Sequence, residues 1–380
     1  MANPGVTIIR GQARRAPRPA GQTLIGLVGT APQAASAQGL NSITLVNNVG
    51  SEVANNTLFG TEGTIPAQLA AIDQNVNTGV IVVRVADDTP DFQSPTPAQV
   101  VEGIKQLETA NDTVGAEPHL IGAPGFTFNR GADPYPPLDT QSSVMTQLQV
   151  SATALDAIAI GLPAPTSVAL AKTWADNNRQ GRVFACFPRV VDTAGRTIDP
   201  FGFVAGALAR GNVWDNPMFT DLRGIVRTEI PIGYHLRNTS DDAHSLQADN
   251  ITAIIAHNGY HLFGATLLVP DTNTEPDRFL NVLREIDDLD IQLDVYTEGA
   301  LRLNLVAGFA DYVISHLQQY IDSRTAIGAL NAGEVSLDDD ANTESELDQG
   351  RVHFRIDVTP AFPAQHIIYT RTLSNQGIVI

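Results

Sequence analysis

GVIVVRV, residues 79–85, is an almost unbroken run of β-branched residues with one charge, Arg84. A strand with one face in water alternates apolar with polar residues. A run this continuous belongs to a strand covered on both faces, as in a parallel sheet between two helical layers.

Working outward, 24–28 and 43–46 read as two more buried strands, the first closed by Gly29 and Pro32, and a helical stretch around 66–76 separates them from the run. Beyond it strand and helix keep alternating. Residues 97–108 are helical, with Thr96 placed to cap them and Pro97 in the first turn. Strands are expected at 119–121, 157–160 and 182–187, and helices at 140–150, 168–178 and 201–210, the last rich in Gly and Ala and so open to close backbone approach. This βαβα rhythm predicts a mostly parallel α/β sheet, α+β mixed at its ends. From about 248 the pattern is renewed: a helix and a strand in 247–258, a strand at 262–268, a helix at 276–288, and a longer helix over 298–322. In that last one Leu301, Leu305, Phe309, Tyr312, Val313, His316, Leu317 and Tyr320 recur at spacings of three and four.

Near the end stands the clearest amphipathic strand. Val352, Phe354, Ile356 and Val358 fall on one face of GRVHFRIDVT (350–359), with Arg351, His353, Arg355 and Asp357 on the other. Thr359, Pro360 and Pro363 stop it, and a further strand is expected at 367–373, making a hairpin or linked pair. Ile378, Val379 and Ile380 are too apolar and β-branched for a frayed tail. At the other end, Val6, Thr7, Ile8 and Ile9 form a short strand-capable piece followed by Arg, Gly and Pro, which reads as an extended arm.

With 380 residues, 43 % apolar and 17 % charged, the chain can build two or three domains, and wholesale disorder is excluded. No apolar run approaches the ~20 residues of a membrane helix and no apolar signal core opens the chain, so a cytoplasm-like compartment is expected. The net charge is −18, yet the first twenty residues hold Arg10, Arg14, Arg15 and Arg18 and no acid. An acidic body does not suit phosphate binding, and a basic arm on it suits docking onto another copy. The acidity concentrates in Asp338, Asp339, Asp340, Glu344, Glu346 and Asp348, just before the amphipathic strand.

Sites of chemistry are hard to find. Cys186, the single cysteine, sits in an apolar run and reads as a buried small hydrophobe. GLVGTAP (26–32) follows a strand but has neither GxGxxG spacing nor a GK[ST] ending. His257 and His261 are four apart, but Gly259 interrupts them and no Glu follows the first; they read as structural. The 338–348 cluster lacks the EF-hand ligand order, DTAGRTIDP (192–200) is turn chemistry, and no GxSxG or HExxH occurs. No catalytic residue, metal ligand or cofactor is expected.

Several stretches in order resemble the tail sheath proteins of contractile phage tails and of injection particles such as R-type pyocins. They are Pro4-Gly5-Val6; GLVGTAP (26–32); GVIVVRV; Val204-Ala205-Gly206 with Ala209, Arg210, Trp214 and Pro217; Phe263 to Leu267, like a WGARTL segment with Phe for Trp and no arginine; Gly328-Ala329-Leu330; Asn342-Thr343; and 350–360 with Pro363-Ala364. The resemblance implies an outer α/β domain (23–247, with a possible subdomain about 88–200), an inner C-terminal α/β domain (248–373), and arms at 1–22 and 374–380 that donate strands to neighbouring copies. It implies a non-enzymatic subunit of stacked hexameric rings around an inner tail tube, with baseplate and tail terminator proteins as partners, no nucleic acid and no membrane insertion. Such a particle would be assembled in the host cytoplasm and would contract to drive its tube through a cell envelope. On this reading Val352, Phe354, Ile356 and Val358 belong to the accepting sheet, and Arg302 or Arg324 touches the tube. The other readings are an α/β hydrolase or nucleotide-using enzyme, and a static tube or coat protein.

Overall fold

A computed structural model describes residues 23–85, 95–128, 142–163, 167–270 and 272–371. The first half supplies β1 (Ile25–Gly29), β2 (Ile43–Val46), α1 (Val49–Asn55), α2 (Thr64–Asp73), β3 (Val80–Arg84), α3 (Pro97–Gln106), α4 (Ala110–Val114), β4 (Leu120–Gly122), α5 (Ser143–Ala154), β5 (Ile158–Gly161), α6 (Val168–Asn177) and β6 (Val183–Phe187). Then come β7 (Val190–Asp192), β8 (Thr197–Ile198), α7 (Phe201–Arg210), β9 (Asp221–Leu222), β10 (Ile225–Thr228), α8 (Asp242–Ala248), β11 (Ile251–Ala256) and β12 (Tyr260–Phe263).

The opening run becomes β3, second in a nine-stranded sheet of order β2-β3-β1-β4-β5-β6-β11-β12-β9. From β3 to β11 every neighbouring pair is parallel, and β2, β12 and β9 add antiparallel edges. Successive residues of β3 enter opposite cores. Ile81 and Val83 pack with Ile104, Leu148, Trp174 and Leu246 of α3, α5, α6 and α8. Val80 and Val82 join Ile65, Leu69 and Ile72 of α2 and Phe203, Val204 and Leu208 of α7 on the other side. Each such side chain contributes about 1.5–3 kcal/mol on burial, so a polar residue anywhere in the run would be costly.

Local chemistry starts the helices where expected. The Thr96 side chain accepts from Gln99 N and Gln99 reaches back, a complete capping box with Pro97 behind it. Ser142 and Ser167 cap α5 and α6 by a single bond each, accepting from Met145 N and Leu170 N. Gly202 and Gly206, one turn apart on α7, press the helix backbone onto α2.

The sheet runs through the division expected between 247 and 248, because β11 pairs in parallel with β6 (Ile251 opposite Ala185, Ala253 opposite Phe187). The renewed rhythm there is the sheet continuing, not a new one starting.

A second unit follows: a 3₁₀ turn at Pro276–Arg278, α9 (Leu280–Ala300), α10 (Phe309–Ala326), β13 (Leu330–Leu337), α11 (Glu344–Asp348) and β14 (Phe354–Pro360). Its small core joins Leu289, Val313, Leu317, Ile321, Leu330 and Val335, with Phe354, Ile356 and Val358 packed against it. The helix expected over 298–322 is in fact two. Gly308 takes φ +89°, a left-handed conformation no α-helix continues through, and Leu301, Leu303, Leu305 and Val306 turn to solvent between α9 and α10. The strand expected at 367–373 is also absent among the described residues: 361–371 carries no regular structure, since no neighbouring strand is there to pair with it.

Candidate assembly site: the two-stranded sheet and its edges

β13 and β14 form an antiparallel pair with Glu334 opposite Asp357 and Val335 opposite Ile356. Along β14 burial alternates as its sequence dictates: Phe354, Ile356 and Val358 are half-buried, Arg355, Asp357 and Thr359 exposed. Val352 lies just before the strand and is half-buried.

The two outer edges differ. On β13, the Gln318 amide of α10 donates to Gly333 O at 3.1 Å and accepts from Val335 N at 2.9 Å, as a neighbouring strand would. Gly333 permits this approach, since a Cβ there would stand 2.5 Å from Ile321. Asp338 N donates to His353 O, so the bonds joining the two strands run through the even-numbered residues of β13 and the odd-numbered residues of β14. The backbone N–H and C=O groups of Ile356 and Val358 therefore point away from β13. No described strand pairs with that edge. An exposed edge of this kind is a template for another chain. Nothing in the sequence distinguishes Gln318 from any other helical glutamine, so the asymmetry was not legible there.

Val6 to Ile9 and Ile378 to Ile380 lie outside the described residues. The segment leading to the C-terminal piece is described to Arg371. It is tied by Ala361 N to Ala329 O, by Asn281 Nδ2 to Ala361 O at 3.0 Å and by Gln365 Nε2 to Thr266 Oγ1 at 3.1 Å. After that, Ile367, Ile368 and Tyr369 stand 68, 80 and 86 % exposed. Three successive large apolar side chains are thus left uncovered by the described residues.

The two arginines proposed from sequence part company. Arg302 is exposed in the apolar segment between α9 and α10. Arg324 is mostly turned into the chain, its side chain 12 % exposed. Its Nε donates to Glu285 Oε1 at 2.8 Å, its Nη2 to Glu285 Oε2, and Asp288 Oδ2 lies 3.3 Å away. The guanidinium also stacks on Trp214, 4.5 Å from the ring centroid, so one side chain joins α10, α9 and the segment after α7. Burial pushes the Glu285 carboxyl up, against the pull of Arg324. A second bridge, Arg182 to Asp287 at 2.7 and 2.8 Å, ties the start of β6 to α9.

The acidic loop is ordered by its own hydrogen bonds. The Ala341 amide, with Arg355, holds the Asp338 carboxyl below its ordinary range, and Arg351 with His353 does the same for Glu346. Cys186 is fully buried, and desolvation pushes its thiol well up. His257 and His261 flank the β11–β12 turn. The 26–32 stretch ends β1 in a mutual bond pair, Thr30 N to Thr64 Oγ1 and Thr64 N to Thr30 Oγ1. Among the described residues no group of three or more His, Cys, Asp or Glu is placed to hold a metal ion, and no helix is long and apolar enough to cross a membrane.

No protein-family model matches the chain. A prophage major tail sheath protein of Pseudomonas aeruginosa strain UCBPP-PA14 is 26 % identical over 340 residues, 84 % of this chain and 83 % of that protein. The major tail sheath protein of Serratia phage KSP20 is 23 % identical, over 93 % of this chain and 90 % of its own length. In fold, a chain of the anti-feeding prophage baseplate in its contracted state superposes with a TM-score of 0.72 at 17 % identity, covering 99 % of this chain and all of the other. A chain of the PVC extracellular contractile injection system, in a sheath complex in contracted state, gives 0.68 at 16 % identity over 99 % of each. In sequence and in fold alike, it is the contractile tail sheath proteins that this chain resembles over nearly its whole length.

Proposed function

We propose that the chain is the structural, non-enzymatic subunit of a contractile tail sheath. The near full-length likeness to tail sheath proteins carries this reading, and the open β14 edge supplies a physical route to polymerisation. Subunits stack as hexameric rings around an inner tube, bounded by baseplate and terminator proteins. The sheath shortens to drive the tube through an envelope, in a virion tail or equivalent particle assembled in the host cytoplasm.

The arms make the lattice. A strand from a neighbouring copy, drawn from Val6–Ile9 or Ile378–Ile380, adds to the outward N–H and C=O groups of Ile356 and Val358, while the β13 edge is kept closed by Gln318. Each such bond nets about 0.5–1.5 kcal/mol, so one arm contributes a few kcal/mol, and repetition through the lattice makes loss of any copy improbable. The basic charge of the first twenty residues suits the acidic 338–348 loop beside that sheet. We place the division between outer and inner units after the nine-stranded sheet, near residue 270, with 280–371 as the inner unit. The exposed Leu301, Leu303, Leu305 and Val306, with Arg302, are the inner unit's surface for the tube.

Electron microscopy of the assembled protein tests the reading. A contractile sheath gives long tubules in two length states with different ring spacing. A single length state would indicate a static tube or coat, and a small discrete oligomer an α/β enzyme.

A further inference from the structure

The open edge of β14 carries charge in an order that is its own complement about Ile356. Arg355 and Asp357 flank that residue, and both side chains stand on the exposed face of the small sheet. Across the pairing with β13, Asp357 meets the like charge of Glu334, and Arg355 meets Ser336. Like charges directly opposite each other destabilise a strand pair. Among the described residues neither of these two carboxylates forms an ion pair, and Arg355 reaches only Asp338, at 3.3 Å. With the Arg355 side chain 57 % exposed, that bridge is weak. On the inner face Phe354, Ile356 and Val358 are left half-buried.

A second β14 laid antiparallel along this edge meets each of these groups with its complement. The outward main-chain groups belong to even-numbered residues, so the permitted registers oppose even to even. With Ile356 opposite its own copy, Phe354 pairs with Val358 in both directions, and the three pairs exchange about six main-chain hydrogen bonds. Asp357 then stands opposite the partner's Arg355, and Arg355 opposite the partner's Asp357. Both charge pairs fall at non-hydrogen-bonded positions, where facing Cα atoms are about 4.5 Å apart and side chains come closest. A slip of two residues one way sets Arg355 against its own copy, and a slip the other way does the same to Asp357. Charge therefore selects the central register. Gln318 closes the β13 edge, so each copy offers one edge and the pairing ends at a two-fold dimer instead of growing. Two strands of seven residues bury little area, which makes the contact weak and exchanging.

We propose that in the unassembled subunit the β14 edge binds the β14 of a second copy, forming an isologous dimer held in register by two Arg355–Asp357 pairs. The dimer covers the edge that polymerisation needs, and its weakness lets an incoming strand displace it. Its role as a check on polymerisation rests on the sheath reading, whereas the dimer itself rests on the open edge alone.

Sedimentation velocity of the full chain, below the concentration at which tubules form, tests the pairing. The native chain passes from monomer to dimer as concentration rises. Asp357→Arg and Arg355→Asp each oppose like charges at both sites and weaken the dimer roughly tenfold, while the two substitutions together restore it to within about threefold. Both side chains are exposed, so the variants keep the fold, as circular dichroism checks. A native chain monomeric throughout, single reversals that leave the dimer unchanged, or a double variant no tighter than the singles each overturn the proposal. Amide exchange gives a second reading: at Ile356 and Val358 it slows as native protein is concentrated, and equal exchange at both ends of the range counts against the pairing. Tubules are scored separately by electron microscopy. Dimers from a chain that never forms tubules uphold the pairing and sink the sheath reading, and tubules from a chain that never dimerises do the reverse.

Discussion

Removing the Arg324 guanidinium while leaving Glu285 in place strands a carboxylate whose side chain is 1 % exposed. Arg324→Met therefore destabilises the chain by roughly 3–5 kcal/mol, and adding Glu285→Gln recovers most of the loss, because an uncharged amide tolerates the site where an unpaired charge does not. Melting midpoints of the single and double variants check this. Asp241 offers a pH-resolved test. Burial alone would raise its carboxyl, but the His244 amide and ring and the His235 amide outweigh it, at 3.0, 2.7 and 2.6 Å, and hold it below the ordinary range. A depressed folded-state pKa stabilises above the unfolded value, about 3.9, and that contribution disappears as pH falls through the folded one. The stability gap between the native chain and Asp241→Asn is thus full above about pH 5 and shrinks below pH 4.

At the scale of elements, the glycines of α7 give a graded prediction. A Cβ on Gly202 would stand 2.6 Å from the Gln68 carbonyl oxygen, a backbone atom that cannot step aside, whereas on Gly206 the approaches are milder, 3.0 Å to Asn75 Cβ and 3.1 Å to the Ile72 carbonyl oxygen. Gly202→Ala costs about 1–3 kcal/mol through overpacking, while Gly206→Ala is near neutral because helix propensity returns up to about 1 kcal/mol. Chemical denaturation of the two variants side by side checks the order. Elements of this kind were legible from the sequence wherever a local rule decided them. The continuous run of β3, the Thr96 cap and the alternation of β14 each follow from a few adjacent residues. What depended on distant partners was not legible. The helical spacing over 298–322 persists in sequence through Gly308, whose left-handed backbone breaks it, and β11 looks like a fresh start until β6 is seen beside it. Arg324 is indistinguishable in sequence from a solvated arginine, since Glu285 lies 39 residues away.

For the whole molecule, the account rests on one asymmetry, a small sheet closed on its β13 side and open on its β14 side. Proline at Val358 removes only an outward-pointing N–H and leaves the bonds to β13 through Arg355, Asp357 and Thr359, so the free chain folds, as edge-strand prolines generally permit. An incoming strand, however, loses its acceptance at the centre of the edge. Val358→Ala removes side-chain volume but keeps the N–H, and separates packing from pairing. The decisive measurement is electron microscopy of concentrated native, Val358→Ala and Val358→Pro chains, with circular dichroism confirming that all three are folded. The account predicts tubules from the native and alanine chains and only small, unpolymerised particles from the proline chain. Tubules of ordinary length and yield from a folded Val358→Pro chain would contradict it.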